Sequence, residues 1–384
     1  MIEKSKQLCL PALLAVLVLV LPSVGFAQRY TQTNLDSDLN AIAPNSADAQ
    51  LLNPWGMART NTSPWWISDN GAGVTTLFNG TTGAKQGLVV TIPGINGEPS
   101  SPTGQVAAGT DTDFTISAGV PAKFIFVTED GTIAAWNSGA TATTMVSKPG
   151  KAVYKGVTIA ELNGKRYLYA ANFLSGEVEV YDGSFKPVNL GRHAFALDGD
   201  NDGHGPFGFD FFDRDDRDDR GGRAHYGPFN VQAIGGSIVV AFAKQSGGVD
   251  EVDGPGLGFV CIYDPAGRLQ SCLQHGNWFN APWGIALAPG EFGEFSHDLL
   301  IGNFGSGQIA AFNPFNGHFA GLMIDSTTNK TLTIDGLWGI GFGNDGSAGP
   351  YNTLFFTAGP NDEMDGLFGK LVPVSAELTE IDEP

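Results

Sequence analysis

The chain has 384 residues with 42% hydrophobic and 11% aromatic side chains, enough apolar material for a large core and too much for a wholly disordered chain. Glycine supplies 53 residues, roughly twice the ordinary ~7%, and with no Gly-X-Y period this excludes collagen and points to a turn-rich, all-β chain. Asp and Glu number 40 against 21 Lys and Arg, a net charge of −19, which disfavours nucleic acid and anionic lipid as partners and leaves cations, neutral molecules and basic surfaces.

At the N-terminus Lys4 and Lys6 precede an uncharged apolar run from Leu8 to Leu21, then Pro22, and then Gly25-Phe26-Ala27 ahead of Gln28. A basic start, a short apolar stretch and small residues before the cut make a secretory signal peptide, residues 1–27. The apolar run is shorter than the ~20 residues of a spanning helix, so a retained anchor is the weaker reading. A secreted or periplasmic protein of a bacterial cell is expected, with no transmembrane anchor after cleavage.

Residues Tyr30–Leu35 have strand character, and after them one phrase keeps returning: an aromatic residue or proline, a glycine, then an apolar run. It reads NPWGMA at 53–58, SPTGQVA at 101–107, YKGVTIA at 154–160, GPFNVQA at 227–233, APWGIALA at 281–288 and GLWGIGFG at 336–343. Its glycines, Gly56, Gly104, Gly156, Gly284 and Gly339, with Asn230 in the fourth copy, recur at steps of 48, 52, 74, 54 and 55 residues. Each phrase leads into a β-rich run, a polar turn and a second β-rich run, as in WWISDNGAGVTTLFN (65–79) and DLLIGNFGSGQIAAFN (298–313), which is a hairpin pattern. A unit of ~50 residues cannot bury both sheet faces alone, whereas six units in a ring can, so the spacing predicts a six-bladed β-propeller over 28–374. The glycine is expected where inner strands crowd the axis. Trp55, Trp283 and Trp338 beside it are expected as wedges between blades rather than as ligand platforms. The last repeat lacks an outermost strand, and pairing it with Tyr30–Leu35 would close the ring and remove two exposed edges.

Two local features interrupt this pattern. An acidic insertion, about 195–226, enlarges the step before the fourth repeat and contains Asp198, Asp200 and Asp202 in the D-x-D-x-D-G start of a calcium loop. The twelfth position, a bidentate Glu in an EF-hand, is Phe209, with Asp210 one residue on. The loop therefore reads either as half a calcium site or as a solvated acidic segment. Cys261 and Cys272 flank the turn Asp264-Pro265-Ala266-Gly267, so they are expected on neighbouring strands, either bonded or as two small core residues. The end, 375–384, is read as a frayed acidic tail.

Taken together, NPWGMA, the SDN-GAG hairpin, GPFNVQAI with VVAFAK, VDGPGLGFVCIYDPAG, NAPWGIALAP, LIGNFGSGQIAAFNP-NG and LWGIGFGN-TLFFTAGPNDE-GLFG resemble an exported bacterial family of NHL-like six-bladed propellers. Some of its members carry a PEP-CTERM sorting tail, which SAELTEIDEP is not. The resemblance runs over roughly 30–374 and implies the same fold and export, but it brings no established activity.

Catalytic signatures are missing: there is no G-x-S-x-G elbow, no phosphate loop, no CxxC and no metal-ligand spacing among the six histidines. Propellers bind ligands at one end of the channel, and Asp69, Asn70, Glu129, Asp130, Asn172, Lys244, Asn303, Asp362 and Glu363 occupy comparable hairpin positions. These carboxylates and amides read either as turn residues or as ligand contacts. The expected function is a binding or interaction module for a protein, glycan or small molecule, with calcium in the insertion. The alternatives are a metal-dependent lactonase, hydrolase or lyase at the channel mouth, and a structural envelope or matrix component.

Overall fold

The computed structural model describes residues 29–42, 47–95, 98–109, 112–197 and 226–374. Residues 1–27, read above as a signal peptide, Asp198, Asp200, Asp202 and Asp210 of the calcium reading, and residues 375–384, read as a tail, lie outside the described residues. No α-helix occurs among the described residues. Six sheets, antiparallel except for one short edge pairing, form a six-bladed β-propeller. Its innermost strands are, in blade order, Pro54–Ala58, Pro102–Ala107, Tyr154–Leu162, Tyr226–Ile234, Pro282–Leu287 and Leu337–Phe342. Each packs against the innermost strand of the next blade, and the sixth returns to the first.

Alternation along the second strand of blade 1 shows how one sequence serves two neighbours. Trp65 and Ile67 pack with Phe355 and Phe368 of blade 6, while Trp66 packs with Phe124, Phe126 and Trp136 of blade 2. Successive side chains of a strand leave by opposite faces, so each blade contributes to two interblade cores.

The ring closes through the N-terminal strand. Arg29–Ser37 runs antiparallel to Leu367–Pro373, from Tyr30 opposite Pro373 to Ser37 opposite Leu367, with a bulge between Asn34 and Asp36. It supplies the strand that the sixth repeat lacks. Tyr30 anchors it: the ring is fully buried, lies against Phe292 and Phe295, and its hydroxyl donates to the Phe292 carbonyl at 3.1 Å. The structure adds Ile324–Asp325, which pairs in parallel with Arg29 and Tyr30.

The recurring glycines mark the tightest contacts between blades. A Cβ on Gly56 would lie 2.5 Å from the Thr103 carbonyl oxygen, and one on Gly339 would lie 2.6 Å from that of Trp55. Asn230 fits the fourth position because its Nδ2 donates to the Trp283 carbonyl at 2.7 Å, turning the same close approach into a hydrogen bond.

Trp55, Trp283 and Trp338 depart from the wedge expectation. They are buried together, with Phe173 and Phe229, in one cluster drawn from blades 1, 3, 4, 5 and 6. Trp55 of blade 1 meets Phe229 of the opposite blade 4 at 6.3 Å, so the cluster sits on the axis and closes it. In blades 1, 4, 5 and 6 the residue before the glycine, or before Asn230, points at the hub. Wedging falls to residues of the outer strands, such as Trp65, Trp66 and Trp136.

Cys261 and Cys272 are direct partners across two strands of blade 4, with Cα atoms 3.9 Å apart, and are joined by a disulfide. By loop-closure entropy a bridge of this span is worth about 3 kcal/mol. Changing both cysteines to alanine, or adding dithiothreitol, is expected to lower the denaturant midpoint accordingly. An unmoved midpoint would mean that the bond does not form in solution.

Candidate functional site at the channel mouth

In each blade the start of the innermost strand pairs with the end of the second, so the turns that follow the second strands surround the starting end of the channel. The residues preceding the glycine ring are Trp55, Thr103, Lys155, Phe229, Trp283 and Trp338. Trp55 and Trp338 stack at 3.5 Å, and Trp283 meets both edge-on at 5.9 and 5.8 Å. This aromatic floor carries one cation. Lys155 is 2% exposed, with Nζ 4.9 Å from the Trp55 ring centre and 5.9 Å from those of Phe173 and Phe229.

Three glutamates from alternate blades gather around it. Glu129, after the second strand of blade 2, accepts from Lys155 Nζ at 2.6 Å. Glu251, in the short strand Asp250–Val252 of blade 4, lies 4.0 Å from the same nitrogen. Glu363 of blade 6 adds its field to both the lysine and the other glutamates. Asparagines orient two of them. Asn70 Nδ2 donates to Glu129 at 2.9 Å; Asn53 Nδ2 donates to Glu363 at 2.9 Å while its Oδ1 accepts from Trp338 Nε1 at 3.0 Å. The floor thus positions the rim.

The backbone holding Glu363 is strained. Asn361, Asp362 and Glu363 have φ of 57°, 54° and 63°, three consecutive non-glycine residues in the left-handed region, and Asn53 has 44°. Asn and Asp tolerate this region, so the cost of roughly 1–2 kcal/mol per residue falls mainly on Glu363. The turn is fastened by Asn361, whose backbone N–H donates to Asp335 and whose Nδ2 donates to Asp365, and by Glu363 N–H to the Gly359 carbonyl. Strain of this kind concentrates where a side chain must be aimed.

The charges follow from this geometry. Burial pulls the Lys155 pKa down, but Glu129, Glu251 and Asp250 outweigh it and hold the ammonium above its ordinary value. Burial raises Glu251, with Lys155 opposing. Glu363 is pushed up to about 7, by burial first and then by Glu251 and Glu129. Among the described residues Glu363 forms no ion pair. Exposed Met364 and Val249 flank the glutamates on the turns of blades 6 and 4. No group of three or more His, Cys, Asp or Glu among the described residues is arranged to hold a metal ion; the glutamates surround an ammonium instead.

Of the nine hairpin residues, the structure brings Asn70, Glu129 and Glu363 together and disperses the rest. Asp69 is a correction: its side chain leaves the strand toward blade 6, where it is fully buried and accepts from Thr76 Oγ1 at 2.7 Å. Burial raises its pKa well above the carboxylate range, with the Thr76 bond opposing. Asp130 accepts from the Ser101 N–H, Asn303 accepts from the Asn280 N–H, and both serve as turn residues. Lys244 lies opposite Tyr226 and Val252 in blade 4, and Asp362 is exposed.

Asn172 belongs to a different cluster. Glu179 accepts from Asn172 Nδ2 at 3.0 Å, Lys148 Nζ at 2.9 Å, Tyr154 Oη at 2.6 Å and Tyr181 Oη at 2.5 Å. These bonds outweigh burial and hold its pKa below the ordinary value. Beside it lies a cavity of about 560 Å³ lined by Lys148, Glu179, Val188 and Arg192. With four donors on one carboxylate, Glu179 locks blade 2 to blade 3.

Sequence reasoning missed Lys155, Glu251 and Asn53. For Lys155 a signal existed: YKGVTIA carries lysine where four of the other repeats carry an aromatic residue.

No family model matches the chain. It is similar to an uncharacterized protein of Acanthamoeba polyphaga mimivirus, 29% identical over 360 residues, covering 88% of this chain and 84% of that protein. Among solved structures it is similar to a structural-genomics protein of unknown function from Bacteroides thetaiotaomicron, with 10% identity and a TM-score of 0.54 over 90% of this chain and 76% of that one. It is also similar to the PQQ-bound aldose sugar dehydrogenase of Streptomyces coelicolor, with 12% identity and a TM-score of 0.51 over 90% and 98% of the two chains. At these identities the structural likenesses show the fold alone.

Proposed function

We propose that this propeller is an exported binding module whose recognition element is the acidic mouth, and that its ligand presents an ammonium or guanidinium group. One observation carries the reading: Glu363 is held by a strained left-handed turn at the rim of a cup whose buried ammonium, Lys155, contacts Glu129 and Glu251. A cation placed between Glu363 and Glu251 would relieve the carboxylate repulsion that adds to burial at each, from Glu251 and Glu129 on Glu363 and from Glu129 and Asp250 on Glu251, and Met364 and Val249 would cover its aliphatic portion. The chain-wide charge of −19 favours approach of such a ligand.

Calorimetric titration with spermidine tests this, with a neutral oligosaccharide and calcium as comparison probes. The wild type is expected to bind spermidine, and Glu363→Gln and Glu251→Gln are expected to weaken it about tenfold each, the loss of one charge-assisted contact. Glu161→Gln, an exposed change at the far end of the strand Tyr154–Leu162, should leave binding intact. Equal binding by all three variants, or none by the wild type, would refute the reading.

A second reading, an enzyme at the same mouth, is favoured by Glu363 titrating near 7, where a carboxyl can serve as general acid or base. It predicts a turnover profile with an apparent pKa near 7 that Glu363→Gln abolishes.

A further inference from the structure

Below the aromatic floor, blade 2 carries a second polar device. Gln105 lies on the innermost strand Pro102–Ala107 and is 7% exposed. Its Nε2 donates to two carbonyls of blade 1, Gly56 at 2.9 Å and Trp66 at 2.7 Å. Both partners are acceptors, so the amide orientation is fixed: turned over, its oxygen would face two carbonyl oxygens. Oε1 is therefore directed away from blade 1, buried, and without a donor among the described residues. A buried amide oxygen lacking a partner is rare in folded proteins, because desolvating it is costly.

The side chain lines a small axial cavity. Gly56, Gly104, Asn230, Gln232 and Trp283 line it too, and Trp283 also belongs to the floor of the mouth, so the cavity lies directly beneath the hub. Its volume is about 30 Å³, enough for one water molecule and too little for an organic ligand. Asn230 is already committed, with Nδ2 on the Trp283 carbonyl and Oδ1 accepting from the Val231 N–H. Gln232 brings a further side-chain amide to the same wall.

We infer that this cavity is a specific binding site for a single water molecule, which donates to Gln105 Oε1 and forms part of the folded structure. Gln105 then joins three parts of the wheel: its own blade, blade 1 through Nε2, and the axis through Oε1. Because the hub seals the mouth side, the water enters from the opposite end of the channel, and a cation bound at the mouth does not displace it.

A high-resolution crystal structure of the protein, with a parallel crystal soaked in rubidium chloride, tests the site. The inference requires density within about 2.5–3.0 Å of Oε1 and no rubidium anomalous peak there. A rubidium peak would overturn it in favour of a monovalent cation site. Absence of density, or an amide turned toward a protein donor, would overturn it outright. Gln105→Met keeps the length of the side chain and removes the acceptor, so its crystals should lack the water; retained density would contradict the role given to Oε1. Should that variant fail to fold, the wild-type maps decide alone.

Discussion

Gly104→Ala is expected to destabilise the protein by about 3 kcal/mol or more, a large effect for one methyl group. The added Cβ would lie 2.7 Å from Gly156 Cα and 2.8 Å from Val157 N, both backbone atoms of the next blade. No rotamer change relieves such a contact, since the obstruction is the neighbouring strand. Moving that strand away from blade 2 would press Gly156 against Asn230, so in a closed ring the displacement passes to the following interface. Gly87→Ala is the matched control. It meets nothing within 4 Å, and its expected effect is within ~0.5 kcal/mol. Denaturant midpoints of the two variants measure the difference, and equal midpoints would show that the inner strands are not in close contact.

Lys155→Met is the second large effect, expected to cost about 3 kcal/mol near pH 8. Methionine keeps most of the buried stem and removes the ammonium, leaving Glu129 and Glu251 facing Glu363 without a counter-charge. Breaking a buried pair from one side typically costs 3–5 kcal/mol, and the lower end applies because Glu129 is 30% exposed and can rehydrate. The effect should depend on pH with a definite sign. Burial and its carboxylate neighbours push Glu363 up to about 7 in the folded protein, above the ordinary 4.5, so its contribution is fully present below 4.5 and is lost as pH rises through 7. Lys155, raised above 10.5, stays charged throughout this window. The variant's deficit should therefore be larger at pH 8 than at pH 5. A deficit that does not change with pH would mean that the glutamates do not sense the lysine.

The architecture was legible because its determinants are local and repeated. The glycine step reports one inner strand per blade, and the hairpin pattern after it reports the next two. The unpartnered strand at Tyr30 matched the strand wanting in the last repeat. Packing direction was less legible. The position before the glycine, or before Asn230, places Trp55, Phe229, Trp283 and Trp338 in one axial cluster, so the tryptophans meet each other instead of separating blades. Asp69 was misplaced for a related reason: a residue at the end of a strand follows the strand's alternation, and here that sends it toward blade 6.

The mouth was only half readable. Glu129 and Glu363 sit in ordinary hairpin positions, but their partnership depends on blades 2 and 6 facing a common axis, which no spacing along the chain records. Glu251 lies in a short added strand after the second strand of blade 4, so comparison of repeats gives it no counterpart. Lys155 could have been found by reading the six phrases as one column, since a lysine in a column dominated by aromatic residues needs a partner.

The account rests most heavily on Glu363 as the open carboxylate of a cation site, and the pH dependence of spermidine affinity examines this directly. At constant ionic strength, affinity should rise severalfold, up to about tenfold, from pH 6 to pH 8 as a carboxyl with a pKa of about 7 ionises. The rise should vanish in Glu363→Gln. A wild-type affinity that stays flat or falls over this interval would contradict the assignment.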